Sequence, residues 1–129
     1  MPNLTLTIIP GRFAVCRFDP RAGVMDGVLE SDFMSVTRTA EELSVLCREE
    51  VLPPEAETCE RGWACLKVEG PLDFSLTGVL ASLAGVLAEA GISIFAVSTF
   101  DTDYLLVKAR DLDDAVVALS QARHLVQAQ

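Results

Sequence analysis

Residues 64–127 switch between two hydrophobic periods in a fixed order: strand, helix, strand, strand, helix, strand. Ala64, Leu66 and Val68 alternate with Cys65, Lys67 and Glu69, the period of two that marks a strand, and Gly70-Pro71 ends it. Leu76, Val79, Leu80, Leu83, Val86, Leu87 and Ala90 then recur at steps of three and four, one apolar face of a helix. Asp73 or Ser75 can cap its start, and Gly91 suits the left-handed position after its end. Residues 92–100 are apolar and rich in β-branched side chains, which predicts a buried central strand. Asp101-Thr102-Asp103 makes a short turn, and residues 104–108 return as the next strand. Asp111 is the expected cap of a last helix, with Asp113 and Asp114 in its first turn, where the helix dipole favours acids. Its stripe is Leu112, Ala115, Val116, Leu119 and Ala122, and His124-Leu125-Val126 closes the pattern as a short edge strand. A βαββαβ order of this kind buries one sheet face under two helices and leaves a polar end free to hold a ligand.

The second face of the long helix is made of small residues, Gly78, Ala81, Ser82, Gly85 and Ala88. Glycine costs a helix about 1 kcal/mol relative to alanine, so two of them imply close packing, against either a neighbouring helix of the chain or a second subunit.

The first half reads as strands. Residues 4–9 and 13–18 flank Pro10-Gly11, a hairpin signal. Residues 19–30 are irregular, with room for one helical turn. Residues 33–38 form a strand, and the alternation of Leu43, Val45 and Cys47 predicts its hairpin partner after Thr39, although residues 40–43 favour helix by propensity. Pro53-Pro54 lies in a charged stretch and can continue neither a helix nor a central strand. The expected division is therefore a mostly β subdomain at 1–57 and an α+β domain at 58–129.

The net charge of −9 is spread evenly, with ten acids and five bases in residues 1–57 and nine acids and five bases in residues 58–129. Nucleic acid and anionic membranes are poor partners for such a chain, because both require clustered Lys and Arg. No stretch reaches the ~20 apolar residues of a membrane span, and no leader pattern opens the chain, so the cytoplasm is the default location. Of the four cysteines, Cys16 and Cys47 read as buried small hydrophobes, while Cys59 and Cys65 flank an expected turn that a disulfide could bridge. Arg17, Arg38 and Arg48 are candidates to face acids of the other half.

No catalytic constellation emerges. Asp101 and Asp103 are turn formers first, and Ser44, Ser75 and Ser98 have no histidine nearby in sequence, His124 being the sole one. The expectation is no catalytic residue, no metal and no cofactor. The segment before the long helix holds one glycine and no lysine, so it is not a nucleotide-binding loop. Free amides at a helix start can still hold a carboxylate.

Residues 76–94, Leu76-Thr77-Gly78-Val79-Leu80 through Ala90-Gly91-Ile92-Ser93-Ile94, resemble the glycine, long helix and second-strand entry of an ACT domain. The run Ser98-Thr99-Phe100-Asp101-Thr102-Asp103-Tyr104-Leu105-Leu106-Val107 narrows the resemblance to the subgroup that includes the CASTOR arginine sensors and small bacterial stand-alone proteins. Residues 35–47 are similar to the first half of those bacterial proteins. The resemblance implies an α+β, ferredoxin-like module preceded by a partial ACT-like half, and a regulatory protein rather than an enzyme. It implies an effector pocket between ACT units, with Phe74, Ser75, Leu76 and Gly78 on one side and Thr99, Phe100 and Asp103 on the other. The expected ligand is a small amino acid or related metabolite, its carboxylate met by helix-end amides and its ammonium by Asp103. The sensors carry two such module pairs in one chain and this chain carries one, so an equivalent pocket requires a homodimer. An interaction module that regulates a partner enzyme without a ligand is the rival expectation.

Overall fold

A computed structural model describes residues 3–53, 56, 58–70 and 78–129. The elements run β1 (Thr5–Phe18), α1 (Asp26–Leu29), β2 (Met34–Arg38), β3 (Leu43–Arg48), β4 (Cys59–Val68), α2 (Val79–Glu89), β5 (Ile94–Ser98), β6 (Asp103–Lys108), α3 (Leu112–Gln121) and β7 (Leu125–Ala128). The fold is α+β and ferredoxin-like. Contacts divide it into one unit of residues 1–10 with 64–129 and a second of residues 11–63. That division cuts β1 and β4.

In the first unit the strand order is β7-β1-β4-β6-β5. The start of β1 stands between β4 and β7, an interior strand that the βαββαβ pattern does not contain. It runs parallel to β7, with Thr5 opposite Leu125 and Ile8 opposite Ala128. The Glu69 amide donates to the Thr5 carbonyl at 2.8 Å on the β4 side. Leu4 and Leu6 thus enter one core with Leu66, Val68, Val79, Leu83, Leu87, Leu105, Val107, Ala115 and Leu119. Val79, Leu83 and Leu87 are the residues of α2 that this core buries, four apart on one face.

Both helices end in the same device. The Gly91 amide donates to the Ala88 carbonyl at 2.9 Å and the Ile92 amide to the Leu87 carbonyl at 2.9 Å. Arg123 and His124 repeat this at the end of α3, bonding Ser120 and Leu119 at 3.0 Å each. Both hinge residues are left-handed, Gly91 at φ 75° and Arg123 at φ 73°, the geometry that satisfies last-turn carbonyls.

The second unit orders its strands β2-β3-β1-β4. The expected hairpin of β2 and β3 forms, with Met34 opposite Cys47 and Arg38 opposite Leu43, and the Thr39 amide donates to the Glu42 carbonyl at 2.9 Å across its turn. Pro10-Gly11 makes no hairpin: β1 is one strand through it, and Gly11 takes φ 100° there. A side chain at Gly11 would also meet Arg48 Nη1 at 2.7 Å.

Three further expectations need correction. No turn separates Cys59 from Cys65, since both lie on β4. Cys59 is instead bonded to Cys16 and Cys65 is free and buried; strand neighbours distant in sequence decide such pairs. Residues 92–100 are not a central strand, because β5 ends the strand order and its residues are half-buried or exposed. Asp111 stands at the cap position of α3 without a side-chain capping bond.

Candidate functional site

The hairpin joining β5 to β6 gathers three of the sequence-predicted residues, Thr99, Phe100 and Asp103. Ser98 and Asp103 are the last paired residues of the two strands. The Ser98 hydroxyl donates to Asp103 Oδ1 at 2.6 Å, so the carboxylate is held in one orientation. Above that pair, the Thr99 amide donates to the Thr102 carbonyl at 2.8 Å. The Thr102 amide returns a bond to Thr99 Oγ1 at 3.3 Å. Phe100 at the tip is 79 % exposed.

Thr102 is buried, and its hydroxyl donates to the Val68 carbonyl at 2.5 Å. Val68 is the last residue of β4. The hairpin therefore stands at the end of the sheet where the chain leaves β4 and heads for α2. Gly78 opens α2 at φ 82°, a conformation suited to glycine, and its carbonyl accepts from the Ser82 amide at 2.8 Å. Phe74, Ser75 and Leu76, together with the proposed caps Asp73 and Ser75, lie outside the described residues. The sequence placed Thr102 only in a turn and Ser98 only in a strand. Their side-chain bonds were missed, although a hydroxyl on each side of Phe100-Asp101 was a visible signal.

Elsewhere the polar groups are structural. Arg48 Nε donates to Asp32 at 2.6 Å, and the guanidinium lies 5.0 Å from the centre of the Phe13 ring. The hydrogen bond from Arg48, aided by its charge, holds the Asp32 carboxyl below its ordinary range. Arg38 donates to the carbonyls of Pro20 and Ala22, and Arg17 to that of Glu41. These arginine bonds join residues within 11–63. A hollow of about 330 Å³ in the second unit is lined by Arg17, Glu42, Ser44 and Glu60 among others, and includes none of the predicted site residues.

Burial pushes the Cys47 thiol up, away from the thiolate needed for reactivity. Burial lowers His124, whose Nδ1 accepts from the Leu4 amide at 3.1 Å. Both groups thus serve packing. Among the described residues, no three His, Cys, Asp or Glu side chains are grouped as metal ligands. No described helix is long and apolar enough to cross a membrane.

Comparison with known proteins bears on the family and the fold. The ACT domain family model matches residues 58–121, and a second model, of an N-terminal domain, matches residues 11–55. The chain is 30% identical over 99 residues to the cytosolic arginine sensor for mTORC1 subunit 1 of Bos taurus, covering 69% of this chain and 30% of that protein. It is 33% identical over 100 residues to human CASTOR3P, covering 68% and 61%. The chain thus spans about a third of the length of the arginine sensors it matches. Among solved structures, protein Atu0741 of Agrobacterium tumefaciens superposes with a TM-score of 0.92 at 34% identity, covering 100% of this chain and 96% of that one. The regulatory subunit of aspartate kinase from Thermus thermophilus has a TM-score of 0.60 at 15% identity, over 86% and 91%, a likeness of fold alone. With its βαββαβ order, its Ser98–Asp103 hairpin and these relatives, the chain belongs to the ACT domain proteins, in their CASTOR-like group.

Proposed function

We propose that this protein is a non-catalytic regulator that binds an amino acid or related metabolite where two copies of the chain meet. The observation that carries the proposal is the Asp103 carboxylate, held by Ser98 at 2.6 Å beside an exposed Phe100. A fixed carboxylate accepts an ammonium group without first losing orientational freedom. Gly78 and the residues before it supply the other wall, with Phe74, Ser75 and Leu76 as its side chains and helix-end amides for the ligand carboxylate. Its relatives named as arginine sensors support an amino acid as the ligand class.

The homodimer is supported by the small face of α2. Ala81, Gly85 and Ala88 are exposed, and a side chain added at Gly85 would meet no atom within 4 Å. Among the described residues, no packing explains glycine at that position. A cytoplasmic location is supported by the same relatives, which are named as cytosolic.

Thermal-shift measurements against the twenty amino acids test the proposal, since a ligand of the native state must stabilise it. At least one is expected to raise the melting temperature at millimolar concentration, and Asp103→Ala is expected to weaken it by about tenfold or more, the loss of one charged hydrogen bond. An unchanged affinity in Asp103→Ala would remove the site assignment. If no amino acid acts and one stoichiometric partner enzyme is captured instead, a ligand-free interaction module becomes the better account.

A further inference from the structure

Thr102 differs from every other residue of the hairpin tip. It is 5 % exposed, whereas Thr99, Phe100 and Asp101 around it are exposed. All three of its polar groups are bonded inside the protein. The carbonyl accepts from the Thr99 amide at 2.8 Å and from the Thr99 hydroxyl at 3.1 Å. The amide donates to the Thr99 hydroxyl at 3.3 Å. The hydroxyl donates to the Val68 carbonyl at 2.5 Å, across 34 residues of sequence. Nothing polar on Thr102 is left to touch a ligand. What it does is join the tip to the end of β4.

That link fixes the two groups that face outward. Thr99 is held by its bonds to Thr102, and Asp103 follows Thr102 directly in the chain. The Asp103 carboxylate is then turned by Ser98. We propose that Thr102 is the positioning residue of the ligand site: its buried hydroxyl, anchored on the Val68 carbonyl, sets where Thr99, Phe100 and Asp103 stand on the sheet. The proposal rests on the function given above for the chain's ligand, but the hairpin geometry it describes is present without one.

The physical reason for a hydroxyl here is that the position is buried and its donor meets a backbone carbonyl. Thr102→Val keeps the volume, removes the donor and takes from the buried Val68 carbonyl its bond to Thr102. Thr102→Ser keeps the donor.

The test combines amide hydrogen exchange with ligand affinity in the full-length protein. In Thr102→Val, exchange at Thr99 and Thr102 is expected to quicken by about tenfold or more while core amides of β6 stay protected. Affinity for the amino acid found by thermal shift is expected to fall by a similar factor. Thr102→Ser is expected to match the natural protein in both. Unchanged exchange at Thr99 in Thr102→Val would overturn the positioning role. So would a tenfold loss of affinity in Thr102→Ser, which also serves if the valine variant fails to fold. Faster exchange in Thr102→Val, in a protein that binds no amino acid, would uphold the positioning of the hairpin and sink the ligand instead.

Discussion

Among the described residues, the first unit buries fifteen apolar side chains with helices of eleven and ten residues, whereas the second buries nine with a helix of four. Small units bury too little apolar surface to offset chain entropy and rely on other restraints. The second unit shows them in number. Cys16 is bonded to Cys59, Arg48 to Asp32, and Arg38 to two carbonyls of the loop before α1. The Glu49 carboxylate also accepts from the Gly62 amide at 2.6 Å. The first unit places fixed polar groups at the β5–β6 hairpin. A unit stable through its core can leave one end polar and exposed, as a binding site requires.

The contrast can be broken most directly at the core. Leu83→Ala removes a fully buried side chain from the first unit, and a loss of about 2–5 kcal/mol is expected in urea unfolding. Val28→Ala in the second unit should cost less, about 1–2 kcal/mol. Equal losses would mean that the two units share their stability rather than hold it separately.

Reduction is the corresponding test of the second unit. The bridge joins residues 43 apart, so opening it restores about 4 kcal/mol of chain entropy to the unfolded state by the loop-closure estimate. Dithiothreitol, or Cys16→Ser, is expected to speed hydrogen exchange in β3 and leave α2 protected. A thiol count on protein taken directly from cells is the companion measurement, because cytosolic thiols are usually kept reduced.

A smaller effect is expected at His124. The folded protein holds its imidazole neutral, with Nδ1 accepting from Leu4, and burial depresses its proton affinity below the ordinary value of 6.5. The unfolded chain then binds the extra proton, so this stability is complete above pH 6.5 and is lost as pH falls through the lower folded-state value. Melting temperatures from pH 7.5 to 4.5 should show the loss, and His124→Gln should flatten that part of the profile. The smallest effect is Arg123→Gly. It relieves a left-handed non-glycine residue at φ 73°, and a gain within about 1 kcal/mol is expected once the freer unfolded chain is allowed for.

Much of the molecule was legible residue by residue. The apolar steps of α2, the Gly91 cap and the β2–β3 hairpin all follow from interactions within a few positions of each other. The site was half legible. Thr99, Phe100 and Asp103 stand on one hairpin as the sequence suggested, while the bond from Thr102 to Val68 left no trace in either segment.

Local order and global partners separate cleanly in this protein. Helix faces, turns and strand periods were set by side-chain spacing, because a helix or hairpin closes its bonds over a few residues. The place of β1 between β4 and β7, the pairing of Cys16 with Cys59, and the inward ties of the arginines belong to the assembled chain. Each joins residues tens of positions apart, and a strand's alternation states which face it buries but not which strand will lie beside it.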